Sequence, residues 1–154
     1  MKRVLRIKGI SNAIGIRRSV VAYEACEEGV FCLDKAEYPL RNLKYELKVN
    51  NNEITLVFNK EEIKLEDGVS HSFKTIRKVK SLLKEEMESV EYNFMLIPLN
   101  EEAIKYYEDS IQKGYVFDEK NGEFNYLIGL AYRMLGDKQK AGEYLEKAKL
   151  EGFF

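Results

Sequence analysis

The spacing of apolar residues changes along the chain, from every second position in the first half to every third or fourth position after Ser72. Over residues 3–9, Leu5 and Ile7 alternate with basic residues. This alternation is typical of a half-buried β-strand whose outer face is basic. The segment that follows, 10–19, contains small and polar residues and is predicted to be a loop.

Residues 19–33 are compatible with two structures. One is a helix with Ser19 as its N-cap and Gly29 just past its end. The other is a β-hairpin that turns at residues 27–29, where Gly29 supplies the left-handed position. Several β-branched and aromatic residues in this segment favour the hairpin.

Alternation is clearest over residues 43–66, where three apolar–polar runs are separated by short turns of the sequence NNN and NK. This pattern predicts three antiparallel strands joined as a meander. One face of such a meander is apolar and must be covered. We expect the helices that follow in the chain to cover it.

After Ser72 the apolar spacing predicts an amphipathic helix. Its apolar positions are Phe73, Ile76, Val79 or Lys80, Leu83, Met87 and Val90.

The segment from Phe124 to Gly152 carries large and small residues at regular positions. With Gly122 as position 1, the matching residues are Ile128, Gly129, Tyr132, Ala141, Leu145 and Ala148. This pattern resembles one tetratricopeptide repeat, in which small residues let two helices approach closely and large residues fill the space around them. Asn125 and Phe153 depart from that repeat at positions 4 and 32.

A second, degenerate copy lies over residues 84–117. Its matching residues are Met87, Val90, Phe94, Ala103, Tyr107 and Ser110. In this copy Pro98 lies in the turn between two helices, and Asn100 caps the second helix. Without the resemblance, residues 92–99 would be interpreted as a β-strand.

The resemblance implies that the first helix of the later unit lines a groove that binds a protein or peptide. The residues it places in the groove are Glu123, Tyr126, Leu130, Arg133 and Met134. Tetratricopeptide arrays usually close with an extra polar helix, and here the last unit is followed directly by Phe153 and Phe154. We therefore expect a contact with another copy of the chain or a partner at Tyr144, Leu150, Phe153 and Phe154; the alternative is that the two phenylalanines fold back over the last helix.

The predicted fold class is α+β, with a small antiparallel meander at the N-terminus packed against tetratricopeptide-like helical hairpins. A β-rich unit covers residues 1–70. A helix and two helical units, 84–117 and 122–154, make up residues 71–154 and share one core with the β-rich unit.

Charge adds a second functional hypothesis. The chain has 154 residues and a net charge of −1, yet its first 23 residues contain six basic residues and no acid. The basic residues considered for binding are Arg3, Arg6, Lys8, Arg17 and Arg18. They are compatible with a nucleic-acid partner, but so few charges favour a solvated strand face that pairs with acids elsewhere.

Catalytic patterns are weak, so the sequence predicts a non-enzymatic interaction protein without metal or cofactor. His71 is the only histidine, and Cys26 and Cys32 are too few for a zinc site. No apolar run has the length of a membrane helix, and the basic, interrupted start is unlike a signal peptide. The expected compartment is the cytoplasm, and the expected partner is another protein or peptide, or a second copy of the chain.

Overall fold

A computed structural model of the protein describes residues 2–13, 16–26, 33, 37–80, 85–118 and 121–154. The predicted α+β class is confirmed, because the described residues form antiparallel sheets in the first two-thirds of the chain and three helices at its end. The strands are β1 Lys2–Ala13, β2 Ile16–Ala25, β3 Glu46–Asn50, β4 Glu53–Phe58, β5 Glu61–Leu65, β6 Ser70–Lys80 and β7 Glu85–Leu99; the helices are α1 Glu101–Gln112, α2 Glu123–Met134 and α3 Lys138–Leu150.

Two compact units divide the chain. The sheet unit takes in the described residues from Val4 to Ile97, and the helical unit takes in Lys2, Arg3 and Pro98–Phe154. The sheet unit contains a four-stranded sheet in the order β2-β1-β7-β6 and a three-stranded sheet in the order β3-β4-β5.

The strand predicted over residues 3–9 is confirmed, and it is longer than its alternation indicates. β1 pairs with β2 from Val4 opposite Ala25 to Ala13 opposite Ile16. Most of the loop predicted over 10–19 is therefore strand. The hairpin turn proposed at 27–29 lies outside the described residues. Polar residues such as Ser11 and Asn12 are accommodated because the β1–β2 backbone pairing continues to the end of the hairpin.

The meander predicted over 43–66 is confirmed as β3, β4 and β5, which pair antiparallel with tight turns between them. Its apolar face is covered by the four-stranded sheet and not by helices, so that part of the expectation is wrong. Leu56 of β4 belongs to the same buried cluster as Leu5 of β1 and Phe94 of β7. The reason is that the four-stranded sheet has an apolar face of its own, and packing the two faces together removes both from water.

Phe58 lies at the centre of this core. Its ring centroid is 5.0 Å from that of Phe73, 5.3 Å from that of Phe94 and 5.8 Å from that of Tyr92. The rings meet edge-on or tilted, which is the favoured arrangement of aromatic pairs. Aromatic side chains from both sheets therefore fill the space between them.

The helix predicted after Ser72 is wrong, because this segment forms β6 and the start of β7. Phe73 lies opposite Tyr92 across the ladder, and Thr75 lies opposite Val90. Ile76 and Met87, which completed the helical spacing, are exposed at 66% and 58%. Apolar residues on both faces of the hairpin thus produce a false period of three to four.

The tetratricopeptide resemblance is also wrong. The first helix of the copy at 84–117 would cover β7, which is a strand of 15 residues. The structure supports the strand interpretation of residues 92–99. Phe94 and Leu96, two positions apart on the strand, both lie in the buried core cluster. The described residues contain one helix followed by a single helical pair, and so they do not form two repeated units.

α1 begins where the Asn100 cap predicts. The Asn100 side chain accepts a hydrogen bond of 2.7 Å from the backbone N–H of Ala103, and acidic residues occupy the first turn. Tyr107 holds α1 in place through two contacts inside the helical unit. Its hydroxyl donates to the Pro98 carbonyl at 3.2 Å, and its ring lies 5.7 Å from that of Phe124 on α2.

α2 and α3 form an antiparallel pair that turns at Gly136. Gly136 has a φ of 87°, which is the left-handed conformation that ends a helix, and the N–H of Asp137 bonds back to the carbonyl of Tyr132. The two helices are in tight contact at Gly129, where an added Cβ would lie 2.8 Å from Cγ of Leu145. A glycine is needed there because any side chain would push the helices apart.

We expect Leu56→Ala to lower the free energy of unfolding by about 2–5 kcal/mol, because Leu56 is fully buried and its removal leaves a cavity between the sheets. Val49→Ala in the same meander is the control, since Val49 is 51% exposed, and it should change the free energy by no more than about 0.5 kcal/mol. Urea denaturation measures both. Equal losses in the two variants would contradict the described packing.

We expect two glycine-to-alanine changes to have opposite effects on the free energy of unfolding. Gly129→Ala should destabilise the protein by about 1–3 kcal/mol, because the new methyl group collides with Leu145. Gly142→Ala should stabilise it by about 0.5–1 kcal/mol, because that position in α3 has open space around it and alanine favours the helix. Urea denaturation of both variants tests the pair, and stabilisation by Gly129→Ala would refute the close approach.

Candidate binding groove

Glu108 of α1 is held by two tyrosines of the helical pair. The Tyr144 hydroxyl donates to its Oε1 atom at 3.0 Å, and the Tyr132 hydroxyl donates to the same atom at 3.4 Å. The two rings stack with centroids 5.6 Å apart. One carboxylate oxygen therefore connects all three helices.

Two lysines lie over these rings. The Lys147 ammonium is 4.5 Å from the centroid of Tyr144, and the Lys140 ammonium is 5.3 Å from that of Tyr132. Both distances are within the range of cation–π attraction. The tyrosine pair is thus bonded at its hydroxyl ends by a carboxylate and covered on its faces by cations.

Burial, followed by the hydrogen bond to Glu108, raises the pKa of Tyr144 to about 12. The pKa of Tyr132 is also raised, first by burial and then by the charge of Glu108. Both hydroxyls therefore keep their protons at neutral pH and act as hydrogen-bond donors. The arrangement fixes the Glu108 carboxylate in place instead of activating a tyrosine as a base.

Two adjoining cavities open beside Glu108, and together we call them the helical groove. The first, of about 270 Å³, is lined by Glu108, Ile111, Gln112, Asn125, Tyr144 and Lys147. The second, of about 180 Å³, is lined by Ile111, 114–117, Asn121, Gly122, Phe124, Asn125 and Glu151. Both linings include Ile111 and Asn125, so the two cavities adjoin at these residues.

The rim of the groove is apolar. Ile111 is 37% exposed, Tyr115 63% and Val116 47%. The chain reaches this position because Gly114, just past the end of α1, has a φ of 77° that turns the backbone. The N–H of Tyr115 then bonds to the carbonyl of Ser110 at 2.9 Å. Three large apolar side chains therefore flank one edge of the depression.

In the smaller cavity, the Asn125 amide donates a short hydrogen bond to the Glu151 carboxylate. Gly122 lies against the same part of α3, where an added Cβ would be 3.0 Å from the Ala148 carbonyl oxygen. The start of α2 is thereby fixed to the end of α3, and a second carboxylate is positioned in the groove.

The groove residues implied by the tetratricopeptide resemblance are placed differently. Glu123 and Tyr126 are fully buried and Leu130 is 1% exposed, whereas Arg133 is exposed and Met134 is partly buried. The structure therefore does not bring these five residues to one open surface. α2 is buried along most of its length, and it contributes to the helical groove only through Phe124 and Asn125 near its start.

The predicted oligomer contact is only partly exposed. The rings of Phe153 and Phe154 lie 5.1 Å and 5.5 Å from that of Tyr126, so both phenylalanines fold back onto the helical pair. Leu150 is 78% exposed, and Tyr144 belongs to the helical groove. Self-association through this end of α3 stays a prediction.

The predicted basic surface is divided by burial. Arg3, Arg6 and Lys8 are 8%, 2% and 7% exposed and have partners, whereas Arg17 and Arg18 are exposed on β2. Arg18 lies 3.8 Å from Glu37, an ion pair of exposed groups. Two of the five basic residues are thus exposed at the surface.

Other candidate chemistry is not assembled into a site among the described residues. His71 lies on β6, where its Nε2 atom is buried and makes no hydrogen bond. Cys26 is partly buried against the sheet core, and Cys32 lies outside the described residues. In the part of the chain that the structure describes, no cluster of three or more His, Cys, Asp or Glu residues could hold a metal ion, and no helix combines the length and apolarity of a membrane span.

Comparison of the chain with protein-family models, with curated proteins and with solved structures finds no match. The tetratricopeptide resemblance therefore has no support from a family model, in agreement with the strand at β7. Regular spacing of small and large residues describes any close-packed helical pair, and that is the physical reason for the mistaken resemblance.

Sequence reasoning missed Glu108, Ile111 and Gln112 as a set, although they are three and four positions apart on one face of α1. The available signal was a glutamate three positions before an isoleucine on a helix. It was hidden because nothing in the sequence indicates that Tyr132 and Tyr144 approach this helix.

We expect Tyr144→Phe to weaken the pH dependence of stability in alkali. An unfolded tyrosine loses its proton near its ordinary pKa of 10.0, whereas folded Tyr144 keeps its proton until about 12. Its contribution to the free energy of unfolding is therefore present below pH 10 and falls as the pH rises from 10 to about 12. Urea denaturation at several pH values in this window should show a shallower fall for the variant than for the wild type.

Tyr106→Phe is the matched control, because Tyr106 lies on α1 outside the groove and is 66% exposed. It should leave the alkaline slope unchanged. Identical slopes for both variants would contradict the raised pKa of Tyr144.

Proposed function

We propose that this protein is a non-catalytic interaction protein that binds a segment of another protein in the helical groove. The observation that carries the proposal is the groove itself, a depression across three helices that combines an apolar rim at Ile111 with fixed polar groups at Glu108 and Asn125. Concave, mostly apolar surfaces with a few positioned polar groups are the usual form of binding sites.

The rigidity of the groove supports the proposal. Glu108 is bonded to side chains from α2 and α3, and Asn125 is bonded to Glu151. A partner that binds such a surface loses little free energy to ordering of the receptor, because the receptor is ordered beforehand.

The burial of the basic residues favours this function over nucleic-acid binding. Arg3, Arg6 and Lys8 are largely shielded from solvent, so they are poorly placed to neutralise phosphates. Arg17 and Arg18 alone are fewer than the several phosphate contacts on which such binding depends.

The chemistry of the groove favours binding over catalysis. Tyr144 keeps its proton at neutral pH, since its pKa is raised to about 12. The single histidine, His71, is placed on β6 of the sheet unit and not in the helical groove. A general base would need to be ionisable near neutral pH and within reach of a substrate.

Position-dependent photo-crosslinking tests the proposal. A photoreactive amino acid at Gln112, which lines the groove, should capture a defined protein in an extract of the producing organism. The same amino acid at Glu146, an exposed position of α3 away from the groove lining, is the control and should not capture that protein. Mass spectrometry identifies the crosslinked species.

Capture of the same proteins from both positions, or from neither, would refute binding in the groove. The distinction depends on the position of the photoreactive group and not on the abundance of any one protein in the extract.

A further inference from the structure

We propose that the helical groove selects a segment of another protein that carries a large apolar side chain directly beside a lysine or arginine. This inference rests on the proposed function and specifies the class of partner. It derives from the two kinds of surface that the groove places next to each other.

The apolar part of the groove is where its two cavities meet. Ile111 lines both of them, and Tyr115 and Val116 continue the apolar surface along the rim. An apolar side chain seated here would cover groups that are now 37% to 63% exposed to water. Burial of that surface provides the anchor for a partner.

The polar part consists of two carboxylates that flank this anchor. Glu108 lies in the larger cavity and Glu151 in the smaller one. Both tyrosine hydroxyls bond to Oε1 of Glu108, so neither of them uses Oε2. A carboxylate that is already held in one orientation is a preorganised acceptor for an ammonium or guanidinium group.

The groove lining carries two carboxylates, Glu108 and Glu151, against one cation, Lys147. Its ammonium lies 4.5 Å from the centre of the Tyr144 ring. Residues 98–154 as a whole contain eleven acidic and eight basic residues, a net charge of −3. An acidic segment would be repelled by this unit and would face Glu108 and Glu151, whereas a basic segment is complementary to both.

Tryptophan fluorescence provides a direct test, because the chain contains no tryptophan. The probes are two capped hexapeptides of the same length, Gly-Arg-Trp-Leu-Arg-Gly and Gly-Glu-Trp-Leu-Glu-Gly. When the indole enters the groove, its emission should shift to shorter wavelength. We expect the basic peptide to bind at least about tenfold more tightly than the acidic one at low salt, and the difference to shrink as salt is added.

Matched variants locate the binding. Glu108→Gln keeps an oxygen that can accept the tyrosine hydrogen bonds but removes the charge. It should lower the affinity for the basic peptide about tenfold. Glu102→Gln removes a charge from the first turn of the same helix, outside the groove lining, and should leave the affinity within about twofold. Thermal unfolding of both variants verifies that they remain folded.

The outcomes separate this inference from the proposed function. Equal affinity for both peptides, binding of neither, or equal effects of the two variants would each overturn the basic-segment inference. If position-dependent crosslinking at Gln112 persists in that case, interaction through the groove still stands. Sedimentation tests whether a second copy of the chain occupies the groove. If the wild type is an oligomer and Glu108→Gln dissociates it, the occupant is another copy of the chain and the inference is overturned.

Discussion

The sheet unit depends on the burial of two apolar sheet faces against each other. Neither sheet could remain in water alone, since each presents a row of large side chains on one side. Phe58 of the meander and Phe94 of the four-stranded sheet lie 5.3 Å apart at the centre of this contact. This requirement explains why β7 is a strand, because a helix at Phe94 would leave the meander without its cover.

The helical unit solves a different packing problem with small residues. Gly129 lets α3 approach α2 closely, and Ala141 and Ala148 continue that contact along the pair. Because α3 is held so near, Tyr144 can reach Glu108 on α1, and the groove forms between them. The groove is thus a consequence of helix packing, and its carboxylate is positioned by residues that also stabilise the fold.

The sequence predicts the elements whose local pattern agrees with their environment. The meander alternates in the expected way because one face is buried, and α1 begins at Asn100 because the cap is a local interaction. The hairpin of β6 and β7 escapes prediction because exposed Ile76 and Met87 interrupt the alternation of the buried face. The groove could not be predicted, since it depends on contacts such as Tyr132 with Glu108, which are 24 positions apart in the chain.

Different residues of α3 pack against α2 and line the groove. Ala141, Leu145 and Ala148 pack against α2, whereas Tyr144, Lys147 and Glu151 line the groove between and beyond them. Glu151 also holds the start of α2 through Asn125, whereas among the described residues Lys147 makes no such link between helices. Substitution at Lys147 therefore changes the chemistry of the groove while the packing residues stay the same, and selection can act on this position on an unchanged scaffold.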